Sequence, residues 1–137
     1  MVHALEYAHR MLRPDGALIN VHDLPVPHLI EIHSPEAATK AGWLTDRTDF
    51  ADERSALNAL AQVVDDGHFT LEDERDFDFN IHADDWNELR EWLAESWESA
   101  VLSERTIQRV EEVIREAGQP ARVVLIVPAR MTKLRAA

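Results

Sequence analysis

"MLRPDGALINVHD", residues 11–23, is the stretch whose reading decides the fold. Upstream of it, Leu5, Ala8, Met11 and Leu12 form one stripe at helical spacing within Val2 to Leu12, and Pro14 and Gly16 stop that helix. Ala17 to Val21 then reads as a short, mostly apolar strand that turns polar at His22-Asp23. A helix delivered into a strand by a compact turn is the repeating joint of a layered α/β fold.

Asp23 to Pro27 holds two prolines in three residues and cannot continue the strand inside a sheet. His28 to His33 alternates as a second short strand. Ser34-Pro35-Glu36 has the chemistry of a helix start that Gly42 could close; an excursion loop leading to a short strand at Trp43 to Thr45 fits equally well. Phe50, Leu57, Leu60, Ala61 and Val64 predict an amphipathic helix over Asp49 to Val64, ended at Asp65-Asp66-Gly67. Phe69 to Ile81 is a long strand, with Phe77, Phe79 and Ile81 on one face and Asp76, Asp78, Asn80 and His82 on the other. Asp84 or Asp85 caps a helix whose apolar side is Trp86, Leu89, Leu93, Trp97 and Ala100, with Trp92 beside them. Ser103 caps the next, which Gly118 and Pro120 end. Val123 to Val127 is apolar on both faces, the pattern of a central strand. The expectation is a single domain over residues 1–137 with three main strands and flanking helices.

Composition excludes several functions. Apolar residues make up 45% and charged residues 29%, and the longest wholly apolar run is Val123 to Val127, far short of the roughly 20 residues a spanning helix needs. No basic region joined to an apolar core stands near Met1, so no secretory signal is visible and a soluble cytoplasmic protein is expected. There is no cysteine, which removes disulfides, thiol catalysis and cysteine-ligated metals. The net charge of −12 repels phosphate backbones, so nucleic acid is not an expected partner; Arg122, Arg130, Lys133 and Arg135 make only the C-terminus basic, as a solvated strand end would be.

The chemistry-bearing residues are few. The four glycines, at positions 16, 42, 67 and 118, never cluster, so no glycine-rich loop cradles a phosphate or nucleotide. Seven histidines invite a metal, but no pair has the i, i+4 spacing of a zinc-binding helix, and no metal ligands are assigned. Glu72, Asp73, Glu74, Asp76 and Asp78 lack the turn glycine of a calcium loop and read as a solvated strand face. Trp86, Trp92 and Trp97 read as core or as an aromatic binding wall. Open α/β sheets bind ligands at the carboxyl ends of their strands. That rim starts here at His22 and Asp23, with His28 close in sequence, and these three are the catalytic candidates; His22 would be a general base near neutral pH. The competing reading is a turn histidine and an aspartate capping loop amides.

The stretch "ALEYAHRMLRPDGALINVHD" resembles the class I S-adenosylmethionine-dependent methyltransferases. In that family a helix bearing a-x-R-x-L-(K/R)-P-G-G precedes the fifth strand. Ala8, Arg10, Leu12, Arg13, Pro14 and Gly16 match, and Asp15 stands where the family usually has its first glycine. The resemblance runs over the whole chain but only over the second half of the family's domain. It implies a partial Rossmann-like fold made of strands 5, 7 and 6 of the order 3-2-1-4-5-7-6, lacking the cofactor-binding half. No cofactor residue is carried over, and S-adenosylmethionine is implied for the family alone.

On this reading the Ala17–Val21 strand lacks a neighbour, and it is expected to pair with a second copy of the chain or with a separate N-terminal half. The functional expectation is a methyltransferase-like protein unable to hold its cofactor alone; a small-molecule substrate fits it, and the sequence does not name the methyl acceptor. The alternatives are a non-catalytic binding or assembly module of the same descent, or a hydrolase-like or metal enzyme built on His22, Asp23 and His28.

Overall fold

The computed structural model describes residues 1–118 and 120–137. The elements in order are α1 (Val2–Met11), β1 (Ala17–Asp23), β2 (His28–His33), β3 (Ala38–Asp46), α2 (Ala51–Asp65), β4 (Phe69–Ala83), α3 (Trp86–Ser96), β5 (Ala100–Val101), α4 (Glu104–Ala117) and β6 (Arg122–Ala136). The fold is mixed α/β. Its strands pair in the order β1-β6-β2-β3-β5, with β4 also on β6, and β1–β6, β2–β6, β2–β3 and β3–β5 all run antiparallel. A Rossmann-like sheet is mainly parallel, so this sheet departs from that general plan.

Two compact units make up the chain. The first comprises residues 1–25, 51–77 and 128–137; the second comprises residues 26–50 and 78–127.

The first unit opens with the turn that decided the sequence reading. Asp15 takes a left-handed backbone (φ 61°), which aspartate tolerates better than most residues, in the place where glycine would be expected. Gly16 is required for space: a Cβ there would lie 2.8 Å from the Arg13 carbonyl oxygen and 3.2 Å from Leu12 Cβ. Its amide donates to the same Arg13 oxygen at 2.8 Å, closing the turn. β1 then pairs with β6 in the register Ala17↔Arg135 to Asp23↔Ala129. Leu5, Ala59, Leu60, Val63, Phe69 and Leu134 form the core between α1, α2 and the strands.

β4 lies along β6 as well, and side chains lock the two together. Arg130 Nε and Nη2 donate to Asp76 Oδ1 (2.7 Å) and Oδ2 (3.0 Å), while Arg135 Nε and Nη2 donate to Glu72 Oε2 (3.0 Å) and Oε1 (2.9 Å). The acidic run and the basic tail, unrelated in sequence, are therefore cross-strand partners.

In the second unit the stretch after His33 decides between the two readings left open for it. Ser34-Pro35-Glu36 starts no helix: Ser34 N donates to the Ala37 carbonyl at 2.9 Å, making the tight turn of a β2–β3 hairpin. Proline at the second position of such a turn supplies the φ it needs. Gly42 sits inside β3, where a Cβ would come within 2.8 Å of Thr106 Cγ2 on α4.

The core of this unit joins Ile30, Ile32, Leu44, Leu89, Val110 and Leu125, among others. Val123, Val124 and Leu125 are buried, as a run apolar on both faces requires. Asp85 caps α3 by accepting from Glu88 N at 2.8 Å, and Ser103 caps α4 by accepting from Thr106 N at 3.1 Å. The expected apolar face of β4 is only partly realised, since Ile81 packs on the core while Phe77 and Phe79 are exposed. Trp92, placed beside the core in the sequence reading, is 37% exposed.

Candidate functional site

The predicted site residues fall in different surroundings. His22 and Asp23 end β1 in the first unit, and His28 opens β2 in the second. On β1 the side chain of Asn20 reaches His22, its Nδ2 donating to His22 Nδ1 at 2.8 Å. With Nδ1 accepting, the neutral ring carries its proton on Nε2, and that atom is buried without a partner. Burial, and after it the nearby Arg130 charge, lowers the pKa of His22, so the ring is neutral at pH 7. Burial raises the pKa of Asp23, against the pull of His22. A neutral imidazole with Nε2–H is a donor. General-base action at Nε2 requires the other tautomer, with the Asn20 amide turned over so that its oxygen accepts a hydrogen bond from Nδ1–H.

The register sets Asn20 opposite Thr132 and His22 opposite Arg130. Thr132 is 3% exposed, and its hydroxyl has no hydrogen-bond partner. Thr132 and Arg130 line a cleft of about 480 Å³ against α2, whose apolar wall includes Leu57, Leu60, Val64, Leu71 and Leu134. Asn58, Asp65 and Glu74 complete its polar edge. A concave apolar surface with a few converging polar groups is the ordinary form of a small-molecule site.

His28 has a different character. It is 2% exposed, its ring lies 4.8 Å from Trp97 and 5.8 Å from Phe50 between centroids, and neither ring nitrogen has a partner. Burial pushes its pKa down to about 4, against the attraction of Asp46. It is a core histidine in an aromatic box, with no access to a reacting group.

Asp46, which the sequence reading passed over, organises this corner. Its Oδ2 accepts from Trp97 Nε1 (2.7 Å) and Ser99 Oγ (2.6 Å), and its Oδ1 from Thr48 N (2.7 Å) and the Thr48 hydroxyl. Burial works to raise its pKa, but the bonds from Ser99, Thr48 and Trp97 outweigh that and hold the carboxyl well below its usual range. The signal available beforehand was the Asp46-x-Thr48 spacing, an aspartate turning its own chain. Its long-range partners, Trp97 and Ser99, had no sequence signal.

Among the described residues no group of three or more histidine, aspartate or glutamate side chains could hold a metal ion. No helix among them is long and apolar enough to cross a membrane. No protein-family model matches the chain, and no curated protein or solved structure matches it either. Its function is therefore argued from the sites themselves.

Proposed function

We propose that this chain is the substrate-side part of a methyltransferase-type α/β domain, whose S-adenosylmethionine-binding residues lie outside these 137 residues. One observation carries the reading: in the first unit β6, the last strand of the chain, is antiparallel to β1 and also pairs with β4, with α2 preceding β4. That is the placement a seventh strand takes between the fifth and the sixth. The turn at Arg13-Pro14-Asp15-Gly16 stands where the family's motif enters its fifth strand, and its tight geometry suits that role.

The glycines that would cradle the cofactor are not in this chain, because none of its four lies near another. β1 ends the pairing order, and Ile19 and Val21 on it are 59% and 56% exposed. The complementing segment would add its strand there. The non-catalytic reading keeps the same fold and the same edge and omits methyl transfer.

The test is calorimetric titration of the 137-residue chain with S-adenosylmethionine. No heat of binding is expected; micromolar affinity would overturn the proposal that the cofactor residues lie elsewhere. The gene just upstream of the Met1 codon supplies the second arm. An in-frame glycine-rich strand-loop there favours the methyltransferase reading, and its absence favours the binding module.

A further inference from the structure

β3 is covered along only part of its outer edge. β2 runs beside it on one side, and on the other β5 meets only Thr45 and Asp46. From Ala38 to Leu44 no strand lies against that second side among the described residues. Arg47 N donates toward it, to the Ser99 carbonyl at 2.8 Å, and by the strand's period of two the backbone of Trp43 faces the same way. This stretch of edge and α4 are the walls of a cleft of about 560 Å³, residues 41–43 on one side and Arg105, Gln108, Arg109 and Glu112 on the other. The walls close on each other at Gly42, where a Cβ would come within 2.8 Å of Thr106 Cγ2. The helix wall is one face at i, i+3, i+4 and i+7, about 10 Å long, and the three strand residues span about the same length. Every member of that face is polar, so it is not a surface for the chain's own core. Arg105 has no hydrogen-bond or ion-pair partner among the described residues. Arg109 reaches Glu112 at 3.3 Å, an exposed pair of little strength. In a chain of net charge −12 the cleft is thus lined by two arginines and one carboxylate.

We propose that this cleft binds an extended acidic peptide segment of a partner protein, which adds to β3 as a strand beyond the end of β5 with its carboxylates toward Arg105 and Arg109. An open strand edge offers main-chain hydrogen bonds to any extended chain, and the charges on the opposite wall select which chain enters. Carboxylates suit arginine best, through charge-assisted and bidentate bonds. The cleft lies wholly in the second unit and does not depend on methyl transfer.

The probe is the acetylated and amidated peptide Glu-Val-Glu-Val-Glu-Val, titrated into the full chain at pH 7 and low salt and followed by amide chemical shifts and hydrogen exchange. Shifts are expected along β3 and the first two turns of α4, with the Trp43 amide protected from exchange in the complex. Arg105→Glu should weaken binding about tenfold, and Arg105→Lys should keep most of it. Glutamate in the first turn of α4 suits the helix dipole, so the charge reversal leaves the fold intact. Two further peptides, N-methylated on the valines alone or on the glutamates alone, test the backbone pairing. Only alternate amides of a strand face its neighbour, so at least one of the two should lose binding. Absence of binding by the parent peptide at millimolar concentration, equal binding by its Lys-Val analogue, full affinity in Arg105→Glu, or full affinity of both methylated peptides would each overturn the proposal. So would a dimer of the free chain that Arg105→Glu dissociates, because a second copy would then occupy the cleft.

Discussion

His28 shows how a single buried side chain makes the stability of this protein depend on pH. Folding holds its ring neutral in an aromatic box, with a pKa near 4 against an ordinary value of 6.5. Below pH 6.5 the unfolded chain takes a proton that the folded one refuses, so stability is complete above 6.5 and falls as the pH drops toward 4. The shift corresponds to a loss on the order of 3 kcal/mol. His28→Leu should flatten that slope and raise the urea midpoint at pH 5. His22, whose pKa is also lowered, contributes a remaining slope of the same sign. An unchanged pH profile in His28→Leu would refute the assignment. The opening turn offers a second residue-scale test: Gly16→Ala should destabilise by about 1–3 kcal/mol, measured by urea unfolding, because the new methyl meets a backbone oxygen that cannot move aside. At this scale the sequence singled out the turn at residues 13–16 and named His22 and His28 together as candidates. It could not tell a rim histidine from a core one, because His22 and His28 differ only in what covers them, and the aromatic rings over His28 come from Phe50 and from Trp97, far along the chain.

At the scale of elements, periodicity and capping chemistry placed every helix to within a few residues, since both are local. α3 and α4 carry the aspartate and serine caps expected of them. The two readings left open at Ser34-Pro35-Glu36 have a physical cause: serine, proline and glutamate serve a hairpin turn as well as a helix start, and only the β3 partner strand decides between them. The edge of β1 carries the element-scale prediction. Its residues from Ala17 to Val21 bear no charge, in a chain of net charge −12, and Ile19 and Val21 are exposed beside that edge. An uncharged, apolar strand with β6 on one side and an open edge on the other pairs readily. Sedimentation at micromolar concentration should report a dimer in the absence of a complementing segment, and Val21→Lys should return it to monomer. A stable, well-folded wild-type monomer under those conditions would exclude self-pairing through β1.

For the molecule as a whole, local patterns were enough to establish the α/β class, the helices, the all-apolar strand at Val123 to Val127 and the turn at residues 13–16, because hydrophobic period, capping groups and turn residues act over only a few positions. Strand partnership acts over long distances. Nothing within Glu72 to Asp76 announces Arg130 and Arg135, and nothing near Thr132 announces that its hydroxyl will be buried without a partner. The same holds for Asp46, whose carboxylate gathers Trp97 and Ser99 from more than fifty positions away. Sequence alone determined most of the helices and strands, Ser34 to Gly42 and Ala100 aside, and which side chains could carry chemistry. Only the tertiary structure decided which of those side chains share a surface, because burial and cross-strand register are set by where the chain returns to itself.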